Sequence, residues 1–231
     1  MKFIALLKKE LRESLPFIIA AAVLLLLLGS LLLKETELSR SYYGRYSGFK
    51  PASVIDVDKL QDRPVLGGVG PLLWILSIAL GLAIGIRQFW VESYSRTWGF
   101  EICRPTSRSS ILTAKITAAV IGFIVSVGLI WMLFYWYASL PVFWHTPPLD
   151  RHLAEGWISI ILGFIVYLGV AVAGLSAERL YTTRLFSLGF VLLVFIACFN
   201  EWRLWLISIF LIIGILILLV QVTEKFLNRQ F

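Results

Sequence analysis

An all-α membrane protein of six transmembrane helices, preceded by an amphipathic interfacial helix, is predicted by three features of the sequence. Apolar residues make up 59% of the 231 positions, against roughly 45–50% in an ordinary soluble domain. Charged residues fall to 15%, where about 25% is usual. Six apolar stretches approach the roughly 20 residues that a helix needs to cross a hydrocarbon core about 30 Å thick. On a soluble fold those stretches would form large exposed patches, so one bundled membrane domain over residues 1–231 accommodates them better.

Residues 1–15 come first. Ile4, Leu7, Leu11 and Leu15 fall on one helical face, with Lys2, Lys9, Arg12 and Glu13 on the other, the pattern of a helix lying in the membrane interface. The first span, 16–33, holds twelve Phe, Ile, Val or Leu residues. Together they favour insertion by roughly 4–7 kcal/mol before polar terms. It is too long for a signal-peptide h-region, and Lys34-Glu35-Thr36-Glu37 offers no small-residue cleavage site, so a retained helix is expected. Residues 34–65, with Tyr42, Tyr43, Tyr46 and then Pro51 to Pro64, read as a polar outer loop.

The second span is 66–86, and the polar segment 88–110 follows it. There Trp90, Tyr94, Trp98 and Ile102 recur every fourth residue, Glu92 and Arg96 form an i,i+4 pair, and Glu101 precedes Arg104 by three. Pro105 ends that helix, and Thr106 or Ser107 is placed to cap the next. The third span, 116–140, closes on Trp131, Phe134, Tyr135, Trp136 and Tyr137, with Phe143 and Trp144 beyond, which reads as an aromatic belt at a headgroup boundary. Spans four to six are 156–177, 181–199 and 204–222. The fifth is the weakest, because its clean apolar part, 185–199, is only about 22 Å long and Arg184 must snorkel, so it either spans thinly or re-enters.

Charge placement orients the bundle. Thirteen of the twenty-one Lys and Arg residues lie in the segments that would share a side with the two termini, and six of the other eight sit in the 34–65 loop beside five acids. The positive-inside rule therefore puts both termini in the cytoplasm. The net charge of +7 gathers at the ends of apolar runs rather than in a stripe, which suits membrane lipid as a partner and excludes nucleic acid. Cys103 and Cys198 read as free thiols.

Catalytic and metal chemistry finds little to work with. His145 and His152 are separated by Pro147 and Pro148, so no regular helix face carries both, and two solvated loop histidines are the more economical reading than a site completed by Asp150. Gly174-Leu175-Ser176-Ala177 lacks the second glycine of a nucleophile elbow, and Gly67-Gly68-Val69-Gly70 lacks the Gly-Lys-Ser/Thr ending of a phosphate loop. No catalytic residue, metal site or cofactor is expected in this chain. The predicted spans also lack ionisable residues apart from Arg184, so the driving force is expected from outside the membrane.

The segment 88–110 resembles a known family. Glu92, then Pro105 thirteen residues on, Ser107 and Arg108 directly after, and Lys115 seven further on are similar to the coupling region of type 2 ABC transporter permeases. Leu6-Leu7-Lys8-Lys9-Glu10-Leu11-Arg12-Glu13 is similar to that family's elbow helix. Two features depart from the pattern: Arg96 stands where a glycine usually precedes the threonine, and the outer segment 200–203 is shorter than the family's re-entrant helices.

The resemblance implies the membrane subunit of an ATP-driven exporter in a bacterial inner membrane. It implies a second permease copy or close paralogue, and a separate ATPase subunit that binds ATP and Mg. Glu92, Arg96, Glu101, Arg104, Pro105 and Arg108 would couple to that ATPase, Glu178 and Arg179 would add a smaller contact within 176–184, and Lys8, Lys9, Glu10 and Arg12 would belong to the elbow. The substrate site is unassigned. A non-transport scaffold that docks a cytosolic protein is the alternative.

Overall fold

The computed structural model describes residues 2–46, 66, 69–95, 107–140, 150–176, 185–200 and 203–228. These residues are almost entirely helical. We number the helices α1 (Lys2–Tyr46), α2 (Val69–Tyr94), α3 (Arg108–Ser139), α4 (Asp150–Leu175), α5 (Leu185–Asn200) and α6 (Leu204–Asn228). Five of them are long and apolar enough to cross a membrane, and α5 is a shorter apolar helix. The all-α, membrane-type architecture read from composition is therefore present.

α1 differs from expectation in two ways. It runs unbroken for 45 residues through Pro16, so residues 1–15 are not set apart as a separate interfacial helix, and it continues to Tyr46 into what the sequence presents as a loop. At about 1.5 Å per residue it is roughly 67 Å long, more than twice the hydrocarbon thickness. Leu6, Glu10, Ser14, Ile18, Ala21 and Leu25 are buried, whereas Ile4 and Leu15 of the apolar stripe are exposed. The stripe faces outward because apolar side chains meet no penalty against lipid, while Glu10 and Ser14 find polar partners only inside.

α2 and α3 each carry a π turn, Ile86–Trp90 and Ile124–Gly128. α4 runs through the centre, buried along Leu162, Ile165, Leu168, Val172 and Leu175, and packs on α2, α5 and α6. Its crossing with α2 is tight because small residues meet there. A Cβ on Gly81 would strike the Gly163 carbonyl oxygen, and one on Gly163 would come within 2.5 Å of the Ser77 carbonyl oxygen. Ser77, Gly81 and Gly85 recur every fourth residue, the small-residue spacing that lets helix backbones approach in lipid.

Outward faces are apolar, with Val23, Leu24, Leu27 and Leu31 exposed on α1 and Ile212, Ile213, Leu216 and Val220 on α6. The aromatic run at the end of α3 divides. Trp136 points outward as a belt residue would, but Trp131 and Phe134 are core residues, Trp131 Nε1 donating to the Leu153 carbonyl at 3.4 Å. Phe143 and Trp144 lie outside the described residues.

Candidate functional site

Three buried charges meet at one end of the bundle. Lys115 of α3 is 0% exposed, Glu10 of α1 is 2% and Glu92 of α2 is 5%. Lys115 Nζ donates to Glu92 Oε1 at 2.7 Å and to Glu10 Oε1 at 2.9 Å, and also to the Gln88 backbone carbonyl at 3.4 Å. A lysine without counter-charge would not stay ionised in such a place, because desolvation of an ammonium costs several kcal/mol. The two carboxylates supply that counter-charge.

The π turn shapes this arrangement. Val91 N–H bonds to the Ile86 carbonyl, the i→i−5 pattern of a wider turn. One extra residue rotates everything after it by about 100° relative to an uninterrupted α-helix, and that rotation sets Glu92 on the face toward Lys115. The Gln88 side chain, inside the same turn, accepts from Tyr167 OH at 2.8 Å through Oε1 and donates to Ser14 Oγ at 3.4 Å through Nε2. Phe89 packs beneath, its ring centroid 6.0 Å from Lys115 Nζ and 6.0 Å from the Tyr167 ring. Polar groups from α1, α2, α3 and α4 are thereby joined in one buried network.

At its rim the network meets more exposed charges. Lys9 Nζ lies 3.8 Å from Glu10 Oε1, 3.7 Å from Glu13 Oε1 and 4.0 Å from Glu92 Oε1, and Arg87 Nη2 lies 3.2 Å from Glu13 Oε2. Glu10 Oε2 is buried with no hydrogen-bond partner.

Other contacts pin the same end. Ser107 caps α3, its side chain accepting from Ser110 N–H at 3.3 Å, as one of the two predicted caps. Arg108 Nη1 donates to the Leu227 carbonyl at 3.2 Å, so its guanidinium meets the negative end of the α6 dipole. Lys225 Nζ donates to Ser176 Oγ at 2.6 Å, tying α6 to the last turn of α4. The starts of α1 and α3 and the ends of α2, α4 and α6 therefore share one end of the bundle.

These positions revise several expectations. Glu92, expected to touch a separate subunit, is buried on Lys115 instead. Glu10 and Lys9 of the elbow set belong to the same network, whereas Lys8 and Arg12 are exposed. Buried ionisable residues do lie in the packed helices, outside the predicted apolar spans, because α2 and α3 run beyond the stretches that outlined them. Tyr94 is 94% exposed, and Trp90 lies against Gly174 of α4. Arg96, Glu101, Arg104, Pro105, Glu178, Arg179, His145, Cys103, Trp98 and Ile102 lie outside the described residues. Among the described residues no group of metal-ligating side chains comes together.

Sequence reasoning missed that Glu10, Glu92 and Lys115 form one cluster. The available signal was two acids and a lysine bordering apolar runs on three different predicted helices. No protein family, curated protein or solved structure matches this chain.

Proposed function

We propose that this chain is the membrane-spanning permease subunit of an ATP-driven exporter of the type 2 ABC class. It works with a second copy or close paralogue and with a separate ATPase subunit that binds ATP and Mg, in a bacterial inner membrane with both termini cytoplasmic. The observation that carries this reading is the Lys115 network. It clamps residues of the elbow segment, Glu10 and by way of Arg87 also Glu13, to the helices on either side of the 95–107 connection. A push on that connection would enter α1, α2 and α3 together, as a rigid-body device requires.

Two further features support it. The buried charges among the described residues gather at one end and form no chain across the bundle, so a source of work outside the membrane is favoured over an ion path. Moreover, α4 ends and α6 ends on the same side, so the chain must return across the bundle between 177 and 202. α5 runs antiparallel to α4, since Cβ positions at Gly169 and Gly214 place Val191 beside Gly169 and bring Val194 and Ile165 together. At 16 residues, roughly 24 Å, α5 serves as a thin sixth crossing.

The test is co-expression with a Walker-motif ATPase encoded beside the gene, followed by purification in nanodiscs. A stable complex that hydrolyses ATP is expected, and Arg108→Glu should weaken assembly. Failure of the two chains to associate would overturn the proposal in favour of a scaffold that docks some other cytosolic protein.

A further inference from the structure

The outward face of α1 separates its charges in a way that the buried network does not explain. Ile4, Lys8, Arg12, Leu15, Ile19 and Val23 are all exposed, and their spacing of three or four residues stacks them in one stripe. Both acids of this stretch are turned away from that stripe. Glu10 is bound to Lys115, and Glu13 is held by Arg87 at 3.2 Å and Lys9 at 3.7 Å. Lys8 and Arg12 are thus left with no acid facing them among the described residues. Two like charges at i and i+4 repel one another, so the pair is unfavourable unless an anion lies over it.

The same stripe says where that anion would come from. Ile19 and Val23 continue it as the apolar, lipid-facing side of the helix, and Arg12 lies seven residues, about 10 Å, before Ile19. The headgroup layer on one side of a bilayer is roughly 5–8 Å deep, and Arg12 and Lys8 lie about 4 Å and about 10 Å before Leu15, the first lipid-facing apolar residue after them, so their long side chains reach phosphate level. Apolar Ile4 and Leu15 flank them, which suits the boundary between headgroups and chains.

We infer that Lys8 and Arg12 form a binding site for the phosphate of an anionic phospholipid, whose chains lie along Leu15, Ile19 and Val23. The inference rests on α1 spanning a membrane and is independent of the transport reading. The guanidinium of Arg12 gives a forked donor to phosphate oxygens and Lys8 adds a point charge.

Protein in nanodiscs of equal phosphatidylglycerol and phosphatidylcholine, released and weighed by native mass spectrometry, tests it. The wild type should retain phosphatidylglycerol selectively. The double variant Lys8→Gln/Arg12→Gln should hold it roughly thirtyfold more weakly. Lys8→Arg should keep it, and Arg203→Gln, an exposed cation at the other end of the bundle, should match the wild type. Either single glutamine variant, with an expected loss of about fivefold, serves if the double variant does not fold. Unchanged phosphatidylglycerol retention in the glutamine variants would overturn the inference, as would an equal loss in Arg203→Gln. So would a broken oligomer with lipid retention intact, which would assign the face to a second copy.

Discussion

Lys115 is the residue on which the buried network turns, and its value is conditional on both carboxylates being present. Replacing it by Met leaves Glu10 and Glu92 buried beside each other with only the partly exposed Lys9, 3.8 and 4.0 Å away, as a shared cation. That loss should destabilise the protein by about 3–5 kcal/mol, read as a lower denaturation midpoint in detergent. Lys115→Met combined with Glu10→Gln and Glu92→Gln should recover much of the loss, because removing all the charges together leaves none uncompensated. If the single and the triple variants were equally damaged, packing rather than charge would be what Lys115 supplies. The sequence shows each of these residues as the neighbour of an apolar run but not their meeting. Glu10 and Lys115 are 105 residues apart, and helical periodicity reports only neighbours three or four positions away.

At the scale of elements, what was legible follows from what a helix reports about itself. Length and apolarity outlined the helices, and the Ser107 cap was readable because capping is local. The inward face of α1 was not, since the interfacial reading turns the apolar stripe toward lipid and does not say which residues meet the other helices. In lipid the polar groups turn inward, and Glu10 and Ser14 do so. The π turn of α2 was equally hidden, because an extra residue in a turn leaves no mark in composition. The α2–α4 crossing was legible in principle, through Ser77, Gly81 and Gly85 at four-residue spacing. Gly81→Ala should force the two backbones apart and cost about 1–3 kcal/mol, the usual range for overpacking. Gly189→Ala meets nothing within 4 Å and should be neutral or stabilising by up to about 1 kcal/mol through helix propensity. A matched fall in thermal stability for both would show that this crossing is not the tight point of the bundle.

For the whole molecule, the number of crossings fixes what the charged end can do. Five helix termini gather where Lys115, Arg108 and Lys225 make their contacts, so Ser95, Ser107, the start of α1 and the end of α6 lie at one end of the bundle. In the proposed orientation that end faces the cytoplasm. The α6 helix begins at the other end, so Ser176 and Arg203 stand at opposite ends of the bundle, and α5, the only described helix between them in sequence, is the sixth crossing in the proposed reading. A cysteine-free background makes this measurable with a membrane-impermeant maleimide. Tyr94→Cys and Leu227→Cys, both exposed, should react only from the cytoplasmic side, in inverted vesicles, and Arg203→Cys only in intact cells. Labelling of positions 94 and 203 from the same side would remove the α5 crossing and, with it, a six-span permease. Labelling of position 94 from outside intact cells would remove the coupling role itself, since an ATPase in the cytoplasm could not then reach the 95–107 connection.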